Sequence, residues 1–286
     1  RDMYDRFIII DGHCDTISKL DDISSIERSN NHVSISRLRE GSVGIQFFAA
    51  WMDPSFSDDY LHNGIRLIDR YKQMLNEYAA YFRPILHMAD VKYAIESEKI
   101  GTLLAVEGGD VLEGDILNLE VLYSAGVRLL TLTWNRSNQL AGAAMDNTNR
   151  YGLTPLGREV VKAMNHMGMM VDVSHVSEEA FWDVIEVSEC PVIASHSNAK
   201  AICAHPRNLD DEQIKAIAFK GGVIGINFYP YFLDKTGEAG INHIIKHIEH
   251  MAGLAGVDCI AFGSDFDGIE ILPKGIEGPQ SFPDII

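Results

Sequence analysis

Apolar residues in this chain gather into short runs rich in Val, Ile and Leu that break off at polar or charged residues. Eight runs stand out: FIIIDGHCD (7–15), VGIQFFAAW (43–51), TLLAVEGG (102–109), VRLLTLTW (127–134), MMVDVSH (169–175), PVIASH (191–196), GVIGINFY (222–229) and CIAFGSDFD (259–267). Near-continuous apolar stretches of this length are what parallel strands buried on both faces require. The longer segments between them are amphipathic and predict helices over 59–82, 88–98, 115–124, 154–167, 177–188, 210–219 and 239–254. Several carry a starting signal: Thr154 precedes Pro155, which suits the first helical position, Ser177 leads Glu178 and Glu179, and Asp210 opens its own helix. Strands alternating with helices, eight strands in all, predict an α/β fold, a single (β/α)8 barrel of the TIM type. The length of 286 residues is close to the roughly 250 of such a barrel. No Pro/Gly/Ser-rich linker divides the chain, so one domain over 1–286 is expected.

A barrel of this kind carries its chemistry at the C-terminal ends of its strands. Here those ends hold ligand-type residues on five different strands: His13 and Asp15 in the first run, Glu107 in the third, His175 in the fifth, His196 in the sixth and Asp265 in the eighth. Side chains two apart on a strand share a face, which would turn His13 and Asp15 the same way and Cys14 the other. Imidazoles and carboxylates without thiolates suit zinc, with manganese, cobalt or iron as substitutes. Three histidines and three carboxylates exceed the three protein ligands usual for one catalytic zinc, so two metals sharing the Glu107 carboxylate is the better count. Zinc lowers the pKa of bound water from about 15.7 to about 7, giving a hydroxide able to attack a polarised carbonyl. Asp265 is the candidate for moving the proton to the leaving group, and Arg207 in HPRN could grip a substrate carboxylate. The polar loop 135–157 after the fourth run would lie on the same face.

Charge narrows the function further. With 24 Lys and Arg against 41 Asp and Glu, a net charge of −17, the chain repels phosphate backbones and anionic bilayers, so neither nucleic acid nor a membrane is an expected partner. No apolar run approaches the roughly 18 residues of a membrane span, and the opening RDMYDRFIII has no signal-peptide pattern, so a cytoplasmic protein is expected. The four cysteines form no CxxC pair and read as buried, reduced thiols. His243, His247 and His250 fall at helical spacing without the glutamate of a zinc helix and read as a solvated face.

The motifs IIIDGHCDTI, AVEGGD, LTLTWN, VDVSH, ASHSNA with HPRN, and GSDFDG, in this order, resemble the membrane (renal) dipeptidases, the M19 zinc dipeptidases within the amidohydrolase-like barrels. The resemblance spans nearly the whole chain. It implies two zinc ions, one held by His13, Asp15 and Glu107 and the other by Glu107, His175 and His196. It further implies Asp265 as the group that positions water and shuttles its proton, and Arg207 as the anchor of a dipeptide's terminal carboxylate. The reaction implied is hydrolysis of a dipeptide, with tolerance for a C-terminal D-residue, and the resemblance is compatible with a homodimer. Trp134 stands where mammalian members carry a histidine, as in the bacterial branch, and Tyr231, or its neighbour Tyr229, is expected in the substrate pocket. A cyclic amide, lactone or related ring remains the alternative substrate class, since the same metals would serve. The closing SFPDII reads as the start of a final helix, and the family's C-terminal helices are expected to be missing beyond it.

Overall fold

The computed structural model describes residues 8–20, 24–28, 30–53 and 59–286. Among the described residues there are nine parallel strands: β1 (Ile9–Asp11), β2 (Val43–Trp51), β3 (Phe82–Pro84), β4 (Ile100–Glu107), β5 (Val127–Thr131), β6 (Met170–Asp172), β7 (Val192–Ala194), β8 (Val223–Ile226) and β9 (Ile260–Phe262). Eight of them close a barrel in the order β1, β2, β4, β5, β6, β7, β8, β9, with β9 returning to β1 through Asp11 and Phe262. Closure rests mainly on β2 and β4, which pair from Ile45 and Gly101 to Trp51 and Glu107. The strand absent from the sequence pattern is β3. It pairs with Ile100–Thr102 of β4, on the edge that β5 takes up from Leu104 onward.

The helices are α1 (Thr16–Lys19), α2 (Ser25–Arg28), α3 (Ile35–Glu40), α4 (Tyr60–Glu77), α5 (Met88–Glu96), α6 (Leu117–Ser124), α7 (Pro155–Met167), α8 (Glu178–Val187), α9 (Asp211–Phe219), α10 (Pro230–Leu233) and α11 (Ile241–Ala255). The caps read from the sequence are formed. Thr154 accepts from the Gly157 N–H, Ser177 from the Ala180 N–H, and Asp210 exchanges hydrogen bonds with Gln213. The helix predicted over 59–82 stops at Glu77, because the chain turns at residues 78–81 and Phe82 enters the sheet. Among the described residues no helix is long and apolar enough to cross a membrane.

Two cores result. The larger joins the outer strand faces to the helices, and the smaller, with Ile45, Ala49, Leu103, Ala105 and Leu129, fills the barrel. Three of the four free cysteines, Cys14, Cys203 and Cys259, are buried. Two expectations are corrected here. His247 is fully buried, its Nδ1 accepting from the Ala199 N–H at 3.0 Å and its Nε2 donating to the Leu233 carbonyl at 3.1 Å, so it ties α11 to the loop after β7 and to the end of α10 instead of facing solvent. The tail 279–284 is a 3-10 helix instead of the start of an α-helix, with Pro283, which cannot donate, inside it. Its Phe282 packs against Phe228, Phe262 and Phe266 at centroid distances of 5.8, 4.8 and 5.7 Å.

Candidate metal centre and substrate cavity

Glu107 is the last residue of β4 and shares the inward strand face with Leu103 and Ala105, so alternation alone carries its carboxylate to the barrel mouth. The other residues stand just beyond their strands: His13 and Asp15 after β1, His175 after β6, His196 after β7, Asp265 after β9. The strands are shorter than the apolar runs because the chain reverses here. His175, Asp265 and Asp267 have φ of 73°, 64° and 66°, a left-handed conformation rare for residues with a side chain. β1 ends at Asp11, yet His13 and Asp15 still turn the same way, while Cys14 Sγ turns to the Phe47 carbonyl. They meet because the chain stays extended through Cys14, which bridges Phe266. The Asp15 N–H donates to the Phe266 carbonyl at 2.9 Å and the Asp265 N–H to the His13 carbonyl at 3.1 Å.

Glu107 divides its two oxygens. Oε2 lies 3.6 Å from His13 Nε2, whereas Oε1 lies 2.9 Å from His175 Nε2 and 3.4 Å from His196 Nε2. Asp15 Oδ2 and Asp265 Oδ1 stand 3.3 and 3.9 Å from His13 Nε2. Among the described residues two groups are compact enough to hold an ion, His13 with Glu107 and His196, and His13 with Asp15 and Asp265, the candidate ligand atoms of each lying within 4.8 Å of one another. The donors fit divalent cations. His13 Nε2 and Asp15 Oδ1 are buried without hydrogen-bond partners, and the Nε2 atoms of His175 and His196 face each other at 2.8 Å. A buried unsatisfied polar atom costs about 1–3 kcal/mol, and a cation between these atoms would remove that cost.

The electrostatics favour the same occupant. Burial pushes the Glu107 carboxyl well above its ordinary value, opposed by His13 and Arg207 and reinforced by Asp15 and Asp265. Burial, with Arg207 and His13 beside them, holds His175 and His196 well below the usual imidazole range, in the neutral form that binds metals. Burial opposes charge on His13 too, yet Glu107, Asp15 and Asp265 outweigh it and raise the ring to about 10. Burial, joined by Asp15 and offset by His13, Asn227 and Arg207, lifts Asp265 to about 7.

Above these groups opens a cavity of about 610 Å³ walled by Trp51, Trp134, Met145, Tyr229 and Phe232. Trp134 packs 5.3 Å from Trp51 and 6.4 Å from His175, centroid to centroid, and Met145 brings the long loop to the rim. The wall position expected for Tyr231 is filled by Tyr229. Tyr231 lies in α10, whose turn leaves it 43% exposed and outside the lining. Arg207 is only 4% exposed and lies in the wall, where Nη2 donates to the His196 carbonyl at 3.1 Å and Nε has no partner. Burial lowers it to about 10 against the pull of Asp265, Glu107 and Asp172. Asp267 is engaged elsewhere, accepting from Thr16 Oγ1 at 2.7 Å and the His32 N–H at 2.6 Å.

Several supports carried no signal that sequence reasoning used. Asn227 Nδ2 donates to Asp265 Oδ2 at 3.0 Å, and Asn135 Oδ1 sits 3.0 Å from His175 Nδ1. A Cβ at Gly268 would overlap Asp15 Oδ2 and Asp265 Oδ1, so only glycine lets both carboxylates in. Asp172 was legible in principle, because an apolar run that ends in Asp must give a buried carboxylate hydrogen-bond donors.

The membrane dipeptidase family, peptidase family M19, matches residues 1–286. The chain belongs to this family. An uncharacterized dipeptidase from Schizosaccharomyces pombe is 35% identical over 305 residues, which covers 98% of this chain and 74% of the yeast protein. A metallo peptidase from Rhodobacter sphaeroides, solved with a phosphinate mimic of the dipeptide L-Ala-D-Ala, has a TM-score of 0.89 at 25% identity, over 98% of this chain and 92% of its own. The dipeptidase AC, another M19 metallo peptidase, has a TM-score of 0.91 at 26% identity, over 98% and 90% of the two chains. The chain is thus an enzyme of the M19 metallo-dipeptidases.

Proposed function

We propose that this M19 enzyme is a binuclear zinc dipeptidase that hydrolyses the single peptide bond of a dipeptide, including dipeptides with a C-terminal D-residue. The observation that carries the reading is the division of Glu107, one oxygen toward His13 and the other toward His175 and His196, inside a cavity that also holds Arg207. In this reading His13, Asp15 and Glu107 hold one ion, and Glu107, His175 and His196 the other. When bound, the zinc pair supplies Lewis acidity toward the scissile carbonyl and hydroxide at neutral pH. Asp265, beside His13 and fixed by Asn227, takes the proton of the attacking water and delivers it to the departing amine nitrogen as the C–N bond breaks. Arg207, in the cavity wall, anchors the substrate's terminal carboxylate through its guanidinium, and Trp134 and Tyr229 flank the side chains. The L-Ala-D-Ala mimic bound by the Rhodobacter relative supports the stereochemical breadth.

The test is to strip the protein of metal, titrate it with zinc, and assay L,L and L,D dipeptides. Activity on both classes that saturates near two zinc per chain is the expected outcome. Two bound zinc ions without dipeptide cleavage would overturn the substrate and direct attention to cyclic amides. Full activity with one zinc, or only with manganese or cobalt, would overturn the metal assignment.

A further inference from the structure

Asp172 ends β6 and is fully buried, and donors surround its carboxylate. Oδ1 accepts from the Ser174 and Ser195 N–H groups at 3.0 and 2.9 Å, and Oδ2 from the Thr131 and Ser195 hydroxyls at 2.6 Å each. Ser195 Oγ also lies 2.7 Å from His196 Nδ1. A serine hydroxyl has one proton, and here the carboxylate takes it, so toward His196 the oxygen can only accept. The proton of that contact belongs to Nδ1, which leaves the lone pair on Nε2. His175 reaches the same state by another route, because the Asn135 Oδ1 beside its Nδ1 is an acceptor. With both Nδ1 atoms protonated, the two Nε2 atoms facing Glu107 Oε1 carry lone pairs, the form in which an imidazole ligates.

The same device appears once more around the barrel. Asp11 ends β1 and accepts from the Ser264 N–H at 2.8 Å and the Ser264 hydroxyl at 2.7 Å, just as Asp172 holds Ser195. In each pair the serine follows the neighbouring strand and immediately precedes a residue of the site, Asp265 or His196. A carboxylate at a strand end thus anchors a serine just beyond the end of a neighbouring strand. Only at Ser195 does the anchor continue into an imidazole.

We propose that Asp172 and Ser195 are positioning residues that set the tautomer of His196, through a carboxylate–hydroxyl–imidazole chain, and so prepare one of the two metal positions before metal arrives. The inference rests on the binuclear reading above. Its primary test does not. Long-range 1H–15N spectra of the metal-free protein with 15N-labelled histidine report each tautomer directly. The expected result is Nδ1–H for both His175 and His196. An Nε2–H tautomer at His196 overturns the proposal whatever the metal does.

The second measurement is zinc affinity by chelator competition in Ser195→Ala. The expected result is a 10- to 100-fold weaker affinity at one of two positions, the usual cost of losing a partner behind a ligand. His196 should also become a mixture of tautomers, an effect that general loosening of the fold would not confine to one ring. Unchanged zinc affinity with an unchanged His196 spectrum overturns the proposal, and if this variant does not fold the wild-type spectrum still decides. Wild-type protein that binds no zinc, yet shows both rings as Nδ1–H, would instead overturn the metal reading and leave the tautomer assignment standing.

Discussion

Arg207 offers the sharpest separation between function and stability. Replacing it with Met keeps an apolar stem of similar reach over Phe232, whose ring centroid lies 5.5 Å from the guanidinium carbon. Burial has lowered the guanidinium from 12.5 to about 10, so at about 1.36 kcal/mol per pKa unit its charge costs the fold about 3 kcal/mol at pH 7. Against this stand its hydrogen bonds to the His196 carbonyl and Ser197 Oγ, at 3.1 and 3.5 Å, worth about 1 kcal/mol each. Arg207→Met should therefore leave the fold as stable as before, or more stable by about 1 kcal/mol. Catalysis should move the other way, because removing one partner of a buried charge pair costs about 2–5 kcal/mol. That is a loss of about 30- to several-thousand-fold in kcat/KM for a free dipeptide. The assay compares a dipeptide with its C-terminal amide at equal zinc content. Wild type should prefer the carboxylate, and the variant should lose the preference. An equal loss on both substrates, or a fall in stability of several kcal/mol, would refute the reasoning.

Other perturbations address the centre itself. Asp265→Asn should lower kcat by about 10²- to 10⁴-fold with zinc content unchanged, and a matching loss of zinc would make Asp265 a ligand. The same variant tests the pH dependence of the metal-free fold. Because the folded Asp265 is raised from 3.8 to about 7, its stabilising contribution is complete below pH 3.8 and is lost as pH rises through 7. The variant should thus gain on wild type by up to about 4 kcal/mol at pH 8 and much less at pH 5, as read from urea titrations. Glu107→Gln should reduce bound zinc below one per chain in metal analysis, since both positions draw on its carboxylate. Gly268→Ala should displace Asp15 and Asp265 and weaken zinc binding while circular dichroism stays native. Phe282→Ala should cost about 3–5 kcal/mol by opening a cavity among four buried or half-buried aromatic rings, lowering Tm by about 6–15 °C.

What the sequence disclosed divides along a physical line. The barrel and its caps follow from local pattern, because buried parallel strands need apolar runs and helix starts need side-chain acceptors. Glu107 was legible for the same reason, as its position two beyond Ala105 fixes its direction. The three-residue β3 was not, since a short edge segment ending in Pro84 carries no period of its own. Nor was the direction of Tyr231, which the single helical turn of α10 decides. The deeper gap lies behind the proposed ligands. His175 and Asn135 are 40 residues apart, and Asp172 reaches Ser195 over 23, so neither contact leaves a spacing in the chain. The identity of the proposed ligands is thus written where a strand ends, but the protonation that makes an imidazole a ligand is set by its neighbours in space. A sequence holding all three histidines while lacking Asn135, Asp172 or Ser195 would therefore keep the family's motif and lose part of its metal affinity.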